Sequence, residues 1–300
     1  MAPSKGLWRG VLDTATSDRI SLVAAGCAFY AMLALFPALS LVISLYGLFF
    51  DVATVQPQLA VLEAVMPAGG FRLIAARVQE LIAKPASLLG WGAGVSATLA
   101  LWSASAGIRA VLGALNMTHG QDERRHPLLF YATALMLTVG AIVAVIIGIA
   151  FLVLLPSLLD IMGLEPLESA LARLASVVLL LVSVLLAIGL LYRFGPARRP
   201  RFWRLVSPGS VTATLLWVLA SALFSYYVRR LGAFDENYGP LGAAIGLLMW
   251  LDVSVYVILL GAELDAELAR RRAARGEPEE AERDPLEPRR HVLPVFLPIG

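Results

Sequence analysis

The sequence predicts an all-α, multi-pass membrane protein with six transmembrane helices, and three observations lead to this fold class. The 300-residue chain is 59% hydrophobic and only 15% charged, with a mean hydropathy of +0.77. Six long segments carry almost no charge, and each is as long as the ~20 residues that cross a hydrocarbon core of about 30 Å. None of them alternates polar and apolar residues in strands of about ten, as a membrane β-barrel would.

The six predicted spans cover most of a transmembrane domain at residues 20–268. Their approximate ranges are 20–50, 85–115, 127–159, 172–193, 205–230 and 238–264. The first span is too long for the apolar part of a secretory signal and lacks a small-residue cleavage pattern, so we expect it to stay as a helix. The sixth span is interrupted once, by Asp252.

Two terminal segments flank this domain. Residues 1–19 carry Trp8, Val11, Leu12 and Ala15 at helical spacing, which predicts an amphipathic helix at the inner membrane face. Residues 269–300 are rich in charge and proline and too poor in apolar groups to pack. This composition predicts a largely disordered cytoplasmic tail.

The first outer loop, residues 51–84, is predicted to have structure of its own. Apolar residues recur at helical spacing from Phe71 to Leu81, and Pro67 with three small residues separates them from a shorter apolar piece at 59–66. We expect two short amphipathic helices that lie on, or fold into, the outer membrane face.

The distribution of lysine and arginine predicts the orientation. Basic residues concentrate before the first span, after the fourth and after the sixth, whereas residues 156–172 contain none. Because basic residues are retained on the cytoplasmic side, both termini are predicted to be cytoplasmic. Arg72 and Arg77 in the first outer loop, and Arg229 and Arg230 after the fifth span, point the other way and are outnumbered.

One face of the second span carries a polar stripe. Trp102, Ser105, Arg109 and Asn116 follow Thr98 at helical spacing, so they share a narrow arc. Arg109 is costly against lipid, so it is expected to face protein, water or an interface. Two interpretations stay open for Arg109: a side chain that reaches the headgroups from the cytoplasmic end of the helix, or a contact for an anion or headgroup in a cavity.

The sixth span and its continuation carry a second stripe, formed by Asp252, Tyr256, Glu263 and Glu267. Asp252 is either a proton or cation site or a carboxyl that hydrogen-bonds within the helix packing. Glu263 lies near the cytoplasmic boundary, where an ion pair with an arginine such as Arg193 is the alternative to a cavity role. Glycines at 242 and 246 have the GxxxG spacing, which suits either packing inside one bundle or a homo-oligomer.

Further polar candidates lie in the first span and before the sixth. Pro37 removes a backbone donor and is predicted to kink the first helix, and Tyr30 shares a side of that helix with small and hydroxyl-bearing residues. The loop residues that could contact a solute are Asp235, Glu236, Asn237 and Tyr238.

Four segments resemble the YihY/BrkB family of polytopic bacterial inner-membrane proteins. They are AAGCAFYAMLALFPALSLVISLYGLF at 24–49, LWSASAGIRAVLGALN at 101–116, YRFGP with a basic loop and SPGS at 192–210, and LFSYYVRRLGAFDENYGPLGAAIGLLMWLDVSVYVILLGAELDAEL at 223–268. The resemblance implies six membrane helices in the bacterial cytoplasmic membrane, but no defined activity. Asp252 departs from the family pattern, in which an aromatic residue is expected there.

Some members of that family carry a ribonuclease label, which the residues do not favour. A metal-dependent nuclease needs converging His, Asp or Glu ligands, and the three histidines, His119, His126 and His291, lie in a short loop and in the tail. The single Cys27 is interpreted as a packing residue. We therefore predict a protein that is not an enzyme, with no cofactor, metal site or nucleic-acid partner.

Two classes of function stay open. The first is a transporter or lipid-handling protein with a polar cavity between helices, whose partners are membrane lipids and whose substrate is an amphipathic or anionic molecule. The second is a non-transporting membrane scaffold or partner-binding envelope protein, in which the polar stripes serve packing. Arg109→Ala should abolish activity in the first class and be tolerated in the second.

Overall fold

The protein is a bundle of long α-helices. The computed structural model describes residues 6–46, 68–82, 91–119, 125–161, 165–196, 205–231 and 240–275. The helices in these ranges are α1 (Leu7–Ser17), α2 (Ile20–Tyr46), α3 (Ala68–Ile82), α4 (Trp91–Thr118), α5 (Pro127–Ile161), α6 (Glu165–Phe194), α7 (Pro208–Leu231) and α8 (Pro240–Ala274). Six of them, α2 and α4 to α8, are long and apolar enough to cross a membrane, which confirms the predicted fold class.

The bundle is built around α2 and α8. Helix α2 packs against α4, α8, α5 and α3, and α8 packs against α7, α2, α3, α1 and α4. Helices α5 and α6 lie at the side, where α6 touches α5 and α7. The charge-free first span and the sixth span, which Asp252 interrupts, are therefore the two central helices of the bundle.

The two ends of the bundle differ in composition. At one end, Ile43 and Tyr46 of α2, Ile74 and Val78 of α3, and Leu247 of α8 form an apolar cluster. At the other end, the start of α2 and the end of α8 join α4, α6 and α7 in a second cluster. We call this second end the basic end, because its described arginines are Arg9, Arg19, Arg125, Arg193, Arg270, Arg271, Arg272 and Arg275.

The outer surface of the bundle is apolar. Large hydrophobic side chains stand exposed around its circumference, with Leu128 72% and Leu22 69% exposed. Proteins surrounded by water rarely expose apolar surface on this scale, whereas lipid tails solvate it well. The surface therefore agrees with the membrane assignment that helix length had suggested.

Helix α8 continues beyond residue 264, where the predicted sixth span ends, to Ala274. Glu267 supports this extension, because its carboxylate pairs with Arg270 at 3.1 Å and with Arg271 at 2.7 Å, three and four residues further along the helix. Such pairs stabilise a helix in water. The predicted tail is thus helical from 269 to 274, and its remainder at 276–300 lies outside the described residues.

The first outer loop contains one described helix, α3. Its Ile74 and Val78 are buried and Arg72 is exposed. The second predicted piece, at 59–66, lies outside the described residues. The position of α3 relative to a membrane face stays a prediction.

Candidate functional site

A cavity of about 500 Å³ opens at the basic end between α1, the start of α2 and α8. Its lining residues are Leu12, Ala15, Thr16, Arg19, Ile20, Ser21, Leu22, Ala25 and Tyr256. Most of these side chains are apolar. The polar residues Thr16, Arg19 and Ser21 lie close together at the turn that joins α1 to α2, and Tyr256 belongs to α8. The cavity therefore combines an apolar wall with one polar, positively charged corner.

Helix α1 forms one wall because it has apolar residues on two sides. Val11 and Ala15 are buried against the bundle, whereas Trp8 and Leu12 are about half exposed on the outer side. A short helix that buries one side and leaves tryptophan and leucine outward is typical of a membrane interface. The exposed side of α1 thus borders the cavity mouth.

The turn between α1 and α2 holds Arg19 in an unusual backbone conformation. Arg19 has a φ of 50°, in the left-handed region that disfavours every residue except glycine. Its N–H donates to Thr16 O at 3.2 Å, and its carbonyl accepts from the N–H groups of Leu22 at 2.9 Å and Val23 at 3.2 Å. These bonds end α1, start α2 and fix Arg19 at the cavity corner.

Helix α1 is seated on the end of α8 at Gly10. A methyl group at Gly10 would lie 2.7 Å from Glu267 Oε1 and 3.2 Å from Arg271 Nη2, so α1 approaches these side chains closely at Gly10. The same Glu267 is fixed by Arg270 and Arg271. The α1 wall therefore packs against this ion-pair cluster at the end of α8.

Glu263 lies in the same region and is fully buried. Its Oε2 is 3.7 Å from Nη2 of Arg270, and Asp18 in the α1–α2 turn is its other charged neighbour. Neither carboxylate oxygen accepts a hydrogen bond from the residues that the structure describes. Glu263 thus pairs with an arginine, as one of the two interpretations of the sequence has it, and that arginine is Arg270 and not Arg193, which was named as an example.

The α8 wall of the cavity leads towards the middle of the membrane. Tyr256 lines the cavity, and Asp252 lies one helical turn, or about 6 Å, deeper on the same face of α8. The Oδ1 atom of Asp252 is buried and has no hydrogen-bond partner in the described ranges. The stripe predicted on the sixth span therefore runs from a buried, unsatisfied carboxyl oxygen to the cavity.

Arg109 belongs to a separate cluster on α4 and α5. Its guanidinium lies 4.8 Å from the Trp102 ring centroid and 5.6 Å from that of Tyr131, and these two rings stack at 5.3 Å. Its Nη1 also donates to the hydroxyl of Ser105 and to Trp102 O. Cation–π contacts and hydrogen bonds thus stabilise the charge, and none of these residues lines the cavity.

The other predicted site residues are dispersed. Tyr30 is 49% exposed on the outside of α2, Pro37 is half-buried within that helix, and Asn116 is buried in α4. The loop residues Asp235 to Tyr238 lie outside the described residues. Tyr256 is the one predicted residue, among those that the structure describes, that lines the cavity.

Polar side chains between α7 and α8 serve packing. Asp265 of α8 accepts hydrogen bonds from the Ser207 hydroxyl at 2.5 Å and the Gly209 N–H at 2.7 Å, at the start of α7. Trp217 Nε1 donates to Ser254 Oγ at 3.0 Å, and Trp250 Nε1 donates to Ser221 Oγ at 3.2 Å. These reciprocal contacts join the two helices along their length.

Two of the three histidines serve helix ends. His119 Nδ1 lies 2.9 Å from Leu115 O at the end of α4, and burial lowers the pKa of His119. His126 Nδ1 accepts the Leu128 N–H at 3.3 Å at the start of α5. Across the described ranges, no group of three or more His, Cys, Asp or Glu side chains could hold a metal ion.

Sequence reasoning missed most of the cavity. It used Arg19 only as a marker of orientation, and it treated Leu12 and the start of the first span as separate segments. The available signal was distance along the chain: an amphipathic helix that ends at Ser17 and a span that begins at Ile20 leave room for only a tight turn. Such a turn brings the two apolar surfaces together around Arg19.

Comparison with known proteins places nearly the whole chain in one sequence family. The family described as Virulence factor BrkB matches residues 11–285. The ribonuclease-like protein YfkH of Bacillus subtilis (strain 168) is 30% identical over 263 residues, covering 82% of this chain and 88% of YfkH.

Two relatives from Chlorobium species carry only the name UPF0761 membrane protein. The one from Chlorobium luteolum is 28% identical over 290 residues, covering 96% of this chain, and the one from Chlorobium chlorochromatii is 30% identical over 254 residues, covering 82%. The chain spans 64% and 56% of the lengths of these two relatives. No solved structure matches the chain.

Proposed function

This chain belongs to the Virulence factor BrkB family of multi-pass membrane proteins, and on that premise we propose that it binds an amphipathic, anionic molecule at its basic end and acts as a lipid-handling protein or transporter. The cavity between α1, α2 and α8 carries this proposal. Its apolar wall suits a hydrocarbon chain, and its charged corner suits a polar head. Its position beside the exposed Leu12 and Leu22 offers a ligand a path from the lipid.

The basic end is the cytoplasmic end in this proposal. The arginines at the ends of α6 and α8 support this orientation through the retention of basic residues in the cytoplasm. Both termini then lie in the cytoplasm of a bacterium, and the cavity faces the inner leaflet of the cytoplasmic membrane. The negative lipids of that leaflet are attracted by a surface rich in arginine.

The proposal of transport, as distinct from binding alone, is based on the face of α8 that continues from the cavity towards the middle of the membrane. Among the residues that the structure describes, Asp252 Oδ1 is buried without a hydrogen-bond partner one turn beyond Tyr256, and polar groups inside a membrane often mark the route of a solute. The route would pass along α8 from the cavity towards the bundle centre. The ribonuclease-like name belongs to YfkH, and we propose no catalytic activity for this chain.

Filling the cavity tests the proposal. Ala25→Trp is expected to reduce the lipid retained after detergent purification by about tenfold, because an indole ring occupies space that the ligand needs. Ala25 is exposed, so its replacement should change the free energy of unfolding by less than about 0.5 kcal/mol. Native mass spectrometry of the purified protein measures the number and mass of bound lipids.

Ala141→Trp is the matched control, because Ala141 is exposed on α5 and does not line the cavity. The control should retain lipid like the wild type. Equal retention by both variants and the wild type would rule out the cavity as the binding site. Transfer of a labelled phospholipid between the leaflets of proteoliposomes, lost in Ala25→Trp alone, would distinguish transport from binding.

A scaffold function is the second candidate, and the cluster at Arg109 favours it. Trp102, Ser105 and Tyr131 surround the guanidinium, so this part of the polar stripe has a packing role that needs no substrate. A scaffold should keep its function in Ala25→Trp and lose it when α1 or the segment after residue 275 is deleted. Association of copies through the glycines of α8 stays a prediction.

A further inference from the structure

Resting on the proposed function, we infer that the ligand is a phosphate-headed lipid and that Arg19 binds its phosphate at the start of α2. The head lies in the corner between Arg19 and Ser21, and the hydrocarbon part lies along Leu12, Leu22 and Tyr256. The lipid comes from the bilayer that surrounds the protein.

The side chain of Arg19 is free to take an anion. It is exposed at the cavity, and within the ranges that the structure describes it makes no ion pair or side-chain hydrogen bond. The arginines at 270 and 271, in contrast, are bound to Glu267. A guanidinium has five N–H donors in a plane and matches two phosphate oxygens at once, so Arg19 suits a phosphate better than a single carboxylate oxygen or a hydroxyl.

The beginning of α2 adds donors at the same corner. Ile20 and Ser21 line the cavity in the first turn of this 27-residue helix. The N–H groups of Leu22 and Val23 already donate to Arg19 O, so those of Ile20 and Ser21 are the donors at this end of α2, where the positive end of the helix dipole attracts phosphate. The Ser21 hydroxyl is exposed beside them and can donate to a further phosphate oxygen.

Arg19 occupies a backbone position at which glycine would be expected. At a φ of 50°, glycine would form the same turn without a steric penalty, yet the chain has the long cationic side chain there. The side chain of Arg19 borders the cavity.

The apolar part of the wall favours a lipid over free phosphate. Leu12, Leu22 and Ala25 line the cavity and are also exposed at the surface of the bundle, so a chain can leave the cavity directly into the membrane. A small inorganic anion would gain nothing from these side chains. A phosphate attached to a hydrocarbon chain uses both parts of the cavity.

Three substitutions test this inference in the full chain, reconstituted in nanodiscs of phosphatidylcholine with added phosphatidic acid. Arg19→Gln and Arg9→Gln remove the same charge, but Arg9 is exposed on α1 outside the cavity. Arg19→Gly removes the charge and relieves the backbone strain, so it should fold at least as well as the wild type. Native mass spectrometry counts the phosphatidic acid bound to each variant.

We expect both Arg19 variants to lose about tenfold or more of their phosphatidic acid and Arg9→Gln to lose less than about twofold. Diacylglycerol, which has the same chains without phosphate, should bind wild type and Arg19 variants equally weakly. Inorganic phosphate at the same concentration should not displace the lipid.

Other outcomes overturn the inference in distinguishable ways. Retention of phosphatidic acid by both Arg19 variants, with loss in Ala25→Trp, would refute the phosphate contact and leave the proposed function standing. Retention of phosphatidic acid by both Arg19 variants and by Ala25→Trp would refute both the phosphate contact and the proposed function. Displacement by inorganic phosphate alone would show that a soluble anion, and not a lipid, is the ligand.

Discussion

Asp265→Ala is expected to lower the free energy of unfolding by about 2–3 kcal/mol, one of the largest losses in this chain. The Asp265 carboxylate of α8 accepts the Ser207 hydroxyl at 2.5 Å and the Gly209 N–H at 2.7 Å, and so holds the start of α7. Alanine leaves both donors without a partner in a region from which water is largely excluded. Thermal unfolding in detergent, followed by circular dichroism, measures the loss.

Asp265→Asn is the control for this prediction. The amide keeps one acceptor oxygen for the Gly209 N–H, and its NH₂ group can donate to the Ser207 hydroxyl. Asparagine should therefore recover more than half of the stability that alanine loses. If the Asp265→Ala and Asp265→Asn variants both unfold at the wild-type temperature, the contact between α7 and α8 does not depend on this carboxyl group.

Gly261→Ala is expected to destabilise the protein by about 1–3 kcal/mol because the added methyl group overfills the contact between α7 and α8. A Cβ at Gly261 would lie 2.7 Å from Ala213 Cβ, 2.7 Å from Gly209 O and 2.6 Å from the Tyr192 hydroxyl. Two of these three atoms cannot move without a shift of α7. Unfolding temperature and the yield of monodisperse protein report the effect.

Gly246→Ala provides the matched comparison on the same helix. A Cβ at Gly246 would meet no atom within 4 Å, so the methyl group is accommodated and the higher helix propensity of alanine can raise stability by up to about 1 kcal/mol. A protein in which Gly246→Ala is the more harmful substitution would not have the described helix packing.

The sequence predicts the membrane helices well because lipid imposes a simple rule. With no water to satisfy the backbone, only uninterrupted helices of sufficient length cross the bilayer, so charge-free segments reveal them directly. The ends of the helices follow a different rule. Helix α8 reaches Ala274 through pairs of Glu267 with Arg270 and Arg271, which a search for charge-free segments cannot detect.

Periodicity identified neighbours on one helix but not the helix they face. Trp102, Ser105 and Arg109 do contact one another, as their spacing implies. Their partner on the next helix is Tyr131, and nothing in the period of α4 reveals an aromatic residue on α5. The interpretation of Arg109 as a cavity residue could not take into account that Tyr131 of α5 packs against its guanidinium.

The cavity escaped prediction for a related reason. Its walls come from α1, α2 and α8, and only Tyr256 belongs to a polar stripe recognised in the sequence. Leu12 and Leu22 look like ordinary apolar residues of two separate helices, and Arg19 looks like a basic residue beside a span. Their shared role depends on a tight turn with a positive φ at Arg19, which the residue type does not indicate.

The central claim is that the space between α1, α2 and α8 holds an amphipathic ligand. Cryo-electron microscopy of the full chain in lipid nanodiscs tests it most directly. We predict elongated density in this cavity that meets Arg19 at one end and runs along Leu12 and Tyr256 to the bilayer. A map that resolves α1 and the start of α2 clearly but contains only water in the cavity would contradict the account.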